Sequence, residues 1–271
     1  MDDLRGRVAV VTGGASGIGL ALARRFAAEG MRLVLADIEQ TALDAAVAEL
    51  GATGTQVLAV RTDVADAAAV EALAAASYER FGAVHVVVNN AGVVTAGAAW
   101  EQSLEDWTWV LGVDLWGVIH GVRSFVPRMV AGGEPGHVVN TASIAGLLAM
   151  PGIAPYDVAK AGVVSLSECL HHDLQAAGAP IGVSVLCPGR VRSRIGDSDR
   201  NRPGGRMTTG HRPGASEPDT LLSAEATADL VLASIRDARF WILTHDGYDE
   251  WITRRAEGML AGRPSERPPV L

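Results

Sequence analysis

Seven short runs of β-branched and aliphatic residues punctuate the chain, and each of the first six is followed by a stretch long enough for a helix. The runs are RVAVVT (7–12), RLVLA (32–36), QVLAV (56–60), VHVVVN (84–89), HVVNTA (137–142), IGVSVLC (181–187) and FWIL (240–243). Helical patterns lie near 18–30, 39–50, 66–81, 103–130, 156–177 and 225–237, the fourth opening on a Ser103–Asp106 capping box. Hairpin strands would be joined by tight turns; strands joined by whole helices are parallel, linked by crossovers. The runs are continuous rather than alternating, as expected of strands covered on both faces. With 48% hydrophobic and 20% charged residues among 271, there is material for one large core. The expected fold is therefore α/β: one doubly wound domain over residues 1–271, with a seven-stranded parallel sheet and helices on both faces.

Composition shifts once, over 192–222, where Arg, Gly, Pro and Asp replace the periodic pattern. A structureless stretch of that length inside a compact domain reads as a functional insert or lid over a site. A C-terminal extension at 246–271 ends in a Pro-rich tail expected to lie extended on the surface. The net charge of −8 argues against a nucleic-acid surface. Cys169 and Cys187 are far apart and lack metal-ligand spacing, so a reduced, cytoplasmic protein with no metal is expected. Neither a secretory leader nor a membrane span is expected.

The first run leads directly into TGGASGIG (12–19) and then a helix. Gly13, Gly17 and Gly19 permit a tight turn and close backbone approach. Ser16, Gly17 and Ile18 open the helix, whose free N–H groups suit a pyrophosphate. Asp37 ends the second run about 20 residues later, where a carboxylate would bind the ribose hydroxyls of adenosine and repel a 2′-phosphate. NAD is expected over NADP; the plain alternative is that Asp37 caps a loop. Asp63, Val64, Asn90, Ala91 and Gly92 follow the third and fourth runs, on the edge where open α/β sheets bind ligands.

Ser143 follows the fifth run, and Tyr156 and Lys160 stand in YDVAK, one helical turn apart. An ammonium there would draw the phenol down toward neutrality and fit it for general acid–base work at a carbonyl or alcohol oxygen. Chance would explain such a pair in a lysine-rich chain, but Lys160 is the single lysine here and Tyr156 one of three tyrosines. Everywhere else the chain uses arginine, whose planar, fixed charge does not replace a compact ammonium.

TGGASGIG, NNAG, the serine ahead of YDVAK and CPGRVRS, as a set and in this order, resemble the classical short-chain dehydrogenase/reductase family over residues 5–245 or so. The resemblance implies a Rossmann-type sheet, a bound nicotinamide dinucleotide, hydride transfer between a secondary alcohol and a ketone, and assembly as a homotetramer through the long fourth and fifth helices. It implies that Tyr156 is the proton donor and acceptor. Lys160 would bind the nicotinamide ribose and lower the tyrosine, and Ser143 would hold the substrate oxygen. Pro188, Gly189 and Val191 would pack along the nicotinamide, with Ser193 in place of the family's usual threonine. The fourth catalytic position, usually asparagine, falls on Asp114 in the apolar run VLGVDLWGV. There the family's side chain supports a helix kink and its carbonyl binds a water leading to the lysine. Aspartate keeps the carbonyl and the shape but loses two N–H donors. It is expected to support the relay geometry, near Lys160 through that water, at a raised pKa.

The substrate pocket is expected from 93–100, 144–155 and the 192–220 insert, with Trp100 and Met150 as lining or plain core. Its apolar composition suggests an apolar alcohol or ketone. Seven arginines between 190 and 212 belong either to a solvated lid or to an anion site. His171 and His172 are adjacent and read as surface or interface residues, not metal ligands. A different class remains open: a catalytically silent dinucleotide-binding regulator. An extended-family epimerase is disfavoured by the glycine spacing and the short C-terminal region.

Overall fold

The structure, a computed structural model, describes residues 1, 3–205 and 221–266. Residues 206–220 of the expected insert and 267–271 of the tail lie outside the described residues. Seven parallel strands form one sheet in the order β3-β2-β1-β4-β5-β6-β7. They are β1 (Val8–Thr12), β2 (Arg32–Asp37), β3 (Val57–Arg61), β4 (Val86–Asn89), β5 (Gly136–Thr141), β6 (Ile181–Cys187) and β7 (Trp241–Leu243). The chain winds outward from β1 to β3, then returns to lay β4 on the other side of β1. That reversal opens a crevice at the carboxyl ends of the strands. Register fixes what meets there: Thr12 lies beside Ala36, and Val11 beside Val88. Gly13, Asp37 and Asn90 are thus neighbours just beyond or at their strand ends.

Helices α1 (Gly17–Ala28), α2 (Gln40–Gly51) and α7 (Ala224–Arg236) bury Leu22, Phe26, Leu43 and Leu232 against one face of the sheet. Helices α3 (Ala67–Phe81), α5 (Gly117–Gly132) and α6 (Ala154–Ala176) bury Leu73, Phe125 and Leu170 against the other. The fold is the expected doubly wound Rossmann-type arrangement. The strands are not all buried on both faces, however. β3 is an edge strand and only partly covered, and two of the three residues of β7 are exposed.

The helix expected over 103–130 is broken. α4 (Leu104–Leu111), opened by the Ser103–Asp106 capping box, passes into a π-helical turn at Gly112–Trp116 before α5. The extra residue in the turn closes a bond from Gly117 N–H to the Gly112 carbonyl and points Asp114 inward. A Cβ on Gly117 would meet Val64 Cγ2 at 2.8 Å, so this helix runs hard against the segment after β3.

Besides a short 3-10 turn at Ile144–Gly146, two elements near the C-terminal side were absent from the sequence expectation. The insert begins with a short 3-10 segment, Ile195–Asn201, and the C-terminal extension holds α8 (Tyr248–Leu260). α8 is fixed from behind the site: the Tyr248 hydroxyl lies so close to Gly189 that a Cβ there would meet it at 2.2 Å. Among the described residues no helix is long and apolar enough to cross a membrane.

Candidate active site

The crevice is a cavity of about 1090 Å³, above the usual range for a single small ligand. Of the nineteen residues expected to be catalytic or cofactor-binding, all but Gly19 and Asp114 line it. Those two lie beneath the surface, each supporting a neighbour that is on it.

At the glycine end, the turn after β1 needs a left-handed residue at Gly13 (φ +62). At Gly19 the need is proximity, since a Cβ would fall 2.1 Å from the Gly13 carbonyl oxygen. The turn is knitted to the end of β4, where Thr12 Oγ1 accepts from Asn90 N–H at 2.9 Å and from Ala91 N–H at 3.2 Å. The Ser16 side chain makes no capping bond, leaving the first-turn N–H groups of α1 to face the cavity at Gly17 and Ile18. Asp37 Oδ2 accepts from Ala15 N–H and Oδ1 from Glu39 N–H, each at 3.1 Å. Burial raises the Asp37 carboxyl, and the N–H groups of Glu39 and Ala15 draw it partly back. These features fit a dinucleotide: free helix-end donors for phosphates and an anchored carboxylate beside them.

Ser143, Tyr156 and Lys160 come together at the other end. Ser143 follows β5, with its Oγ accepting from Ala145 N–H at 3.1 Å. α6 carries Tyr156 and Lys160 on one face, with Nζ 5.4 Å from the phenol ring centre. A buried bond ties that helix to the sheet, Asn140 Nδ2–H to Ser167 Oγ at 3.0 Å, and Asn140 Oδ1 in turn accepts from Asn89 Nδ2–H of the neighbouring strand at 2.9 Å.

Lys160 is 2% exposed and donates to the Thr141 carbonyl at 3.0 Å. Its Nζ also lies 3.1 Å from Asp114 Oδ2, while Asp114 Oδ1 accepts from Val93 N–H at 2.8 Å. This corrects the expectation of a water between the two side chains: the contact is direct. Burial works against charge on Lys160, but Asp114 and Tyr156 outweigh it and the lysine is raised. Burial likewise raises Asp114, while Lys160 and the Val93 N–H pull it back.

The expected lowering of Tyr156 is also corrected. Burial pushes the phenol up, and Asp114 and Asp157 add to this; Lys160 and a hydrogen bond from Ser143 pull it down without overcoming it.

The pocket walls differ from the expected set as well. Trp100 is 86% exposed, and Met150 packs toward Leu148, Tyr248 and Trp251, so neither lines the cavity. From 144–155 only Ile153 does. The apolar wall is Val93, Val94, Trp109, Val113, Ile153 and Leu221. Trp109 and Val113, about one and a half and two and a half turns past Leu104, were not foreseen; a helical face of Thr108, Trp109 and Val113 was the available signal. Three of the described arginines of the insert are already paired and not free for an anion. Arg200 and Arg194 reach Glu39, and Arg202 pairs with Asp106 and lies 5.8 Å from the Trp109 ring centre.

Comparison with known proteins agrees with this geometry. The sequence profile of the short chain dehydrogenase family matches residues 7–203. A 1-deoxy-11-beta-hydroxypentalenate dehydrogenase of Streptomyces avermitilis is 40% identical over 244 residues, covering 89% of this chain and 86% of that protein. A C alpha-dehydrogenase of Sphingobium is 32% identical, covering 96% and 87%. A short chain dehydrogenase/reductase of Burkholderia phymatum, solved in complex with NAD, superposes with a TM-score of 0.94 at 43% identity over 100% of both chains. With its seven parallel strands, glycine turn and Ser143–Tyr156–Lys160 cluster, the chain belongs to the short-chain dehydrogenase/reductase family of oxidoreductases.

Proposed function

We propose that the chain is an NAD-dependent dehydrogenase that interconverts an apolar secondary alcohol and its ketone. One observation carries the reading: Ser143, Tyr156 and Lys160 share a single cavity with the glycine turn and Asp37. Gly13, Ser16, Gly17 and Ile18 would hold the pyrophosphate. Asp37 would take the adenosine ribose, with Asp63, Val64, Asn90, Ala91 and Gly92 along the middle. Pro188, Gly189, Val191 and Ser193 would flank the nicotinamide. When bound, the dinucleotide supplies the hydride acceptor. Ser143 hydrogen-bonds the alcohol oxygen and Tyr156, as phenolate, takes the hydroxyl proton while the carbinol carbon gives up its hydride. In the reverse direction the phenol returns that proton to the carbonyl oxygen. Lys160 stabilises the phenolate and binds the nicotinamide ribose.

The choice of NAD rests on Asp37 and is supported by the NAD-bound relative. The apolar substrate rests on Val94, Trp109, Val113, Ile153 and Leu221. We take the chain as one catalytic domain, with the segment after Val191 as lid, working in the cytoplasm as a homotetramer. Trp116 on the π turn and Val158 on α6, 52% and 49% exposed, are candidate tetramer contacts.

The test is dinucleotide reduction with a panel of cyclic secondary alcohols, each with NAD and with NADP. Turnover with NAD that falls about 10²–10⁴-fold in Tyr156→Phe is expected. Tight NAD binding with no turnover across the panel would overturn the enzyme in favour of a silent dinucleotide-binding regulator.

A further inference from the structure

Asp114 is 0% exposed, and its two oxygens face partners from different elements: Oδ1 accepts from Val93 N–H, and Oδ2 forms an ion pair with the Lys160 ammonium. An amide of the same shape offers one acceptor oxygen and one NH₂ group, so it would satisfy one donor and turn N–H toward the other. A carboxylate satisfies both. The fit is close. A Cβ on Gly92 would come within 3.2 Å of Asp114 Oδ2 and 3.6 Å of Lys160 Nζ, so the segment after β4 lies directly on the pair.

The other groups facing Lys160 do not provide a counter-charge. Thr141 offers a neutral carbonyl. Cys187, at the end of β6, is a thiol pushed up to about 12 by burial, so it stays neutral. Tyr156, one turn earlier on α6, is pushed up by burial and is a neutral phenol in the resting site, and Asp157 accepts from Met150 N–H instead. A buried ammonium without a counter-ion loses its proton readily. Asp114 is the carboxylate in contact with it.

We propose that Asp114 is a positioning residue acting through Lys160: it is the internal counter-ion that keeps this lysine charged and aimed beside Tyr156. The π turn at Gly112–Trp116 is the device that delivers it, because it brings Asp114 inward from an otherwise apolar helix. The inference rests on the proposed dehydrogenase reading for its consequence, but not for its test.

The single lysine makes that test direct. In protein carrying isotope-labelled lysine, Lys160 gives the one lysine side-chain NMR signal, and its titration can be followed without substrate or turnover. The wild-type signal is expected to stay that of an ammonium past the ordinary lysine range. In Asp114→Asn the midpoint is expected to fall by about one pH unit or more, a tenfold loss of proton affinity. Kinetically, kcat for alcohol oxidation is expected to fall more than KM for NAD rises, with partial recovery in Asp114→Glu. A residue that served only to hold the helix would lower Tm and leave the lysine midpoint unmoved, which overturns the proposal. A wild-type midpoint below the ordinary lysine value overturns it with no variant needed. Should the chain turn over no alcohol at all, the dehydrogenase reading fails while the lysine titration still decides this one.

Discussion

Arg200 and Glu39, 161 residues apart, meet at the Asp37 end of the cavity with Nη2 2.7 Å from Oε1. Asn201 Nδ2 donates to the same oxygen at 3.0 Å. Two residues on, Arg202 turns the other way and pairs with Asp106 at the start of α4. The segment Ile195–Asn201 is therefore tied on both sides of the cleft, and Ser198 Oγ anchors its middle by accepting from Val94 N–H at 3.0 Å. Glu39 is lowered by its hydrogen bond with Arg200, so the tie persists through neutral pH and is lost as pH falls below the ordinary carboxylate range.

Glu39→Gln should therefore release bound dinucleotide faster. A pair with both side chains about a quarter exposed is worth about 1 kcal/mol, or about fivefold in rate. Stopped-flow displacement of NADH measures this directly. The difference from wild type should shrink at high salt, which screens the pair; a rate equal to wild type at low salt would remove the tie from any role in cofactor exchange.

Asp37 offers a separate handle on the same end. Its carboxylate accepts two backbone N–H groups that hold the glycine turn and the start of α2 in place. In Asp37→Ser the NAD affinity should drop about tenfold or more, in line with about 1.5–3 kcal/mol for a hydrogen bond to a charged group. NADP affinity should drop less, because a repelling charge has gone and Arg194 and Arg200 stand near Glu39. Titration calorimetry with both dinucleotides separates the outcomes. Equal losses would mean that Asp37 shapes the turn without selecting the cofactor.

What the sequence made legible followed local rules. β1, the turn at Gly13–Gly19 and α1 carry strand, bend and helix signals within twenty residues, and Tyr156 and Lys160 share a face through helical spacing alone. The missed features are of another kind. The Asp114–Lys160 contact spans α4–α5 and α6, and its directness depends on a π turn that no residue spacing announces. The Glu39–Arg200 tie joins residues 161 apart in sequence. α8 is rich in Arg, Glu and Asp, and its apolar side is little more than Tyr248, Trp251 and Ile252, too few to stand out as a periodic pattern. Trp100 and Met150 were indistinguishable from Trp109 by residue type; only packing separates lining from surface.

His137, in β5, carries a pH prediction. It is 2% exposed with Nε2 2.7 Å from Ser184 Oγ, and burial lowers it from 6.5 to about 4. Between those values the unfolded chain binds a proton that the folded chain refuses, so stability falls as pH drops from 6.5 toward 4. The full effect is about 3 kcal/mol. Denaturant unfolding of His137→Gln across this range should show a flatter acid limb than wild type. An unchanged slope would place the acid sensitivity elsewhere.

Asp157 works in the opposite sense. Burial raises its carboxyl from 3.8 to about 7, although Met150 N–H donates to it at 2.7 Å. Below 3.8 both folded and unfolded chains hold the proton. As pH rises toward 7 the unfolded chain releases it first, and the folded state loses ground until both are ionised. Asp157→Asn keeps an acceptor for Met150 and removes the ionisation. It should be more stable than wild type at pH 8, by about 1–2 kcal/mol after allowing for solvent at this half-buried site. At pH 4 the two proteins should unfold nearly together. Tm measured at both pH values decides it, since an equal gain at each would trace the effect to packing and not to charge. Because Asp157 also pushes Tyr156 up, the same variant should move the acid limb of alcohol oxidation, where activity rises with pH, toward lower pH, linking the stability and activity readouts through one carboxylate.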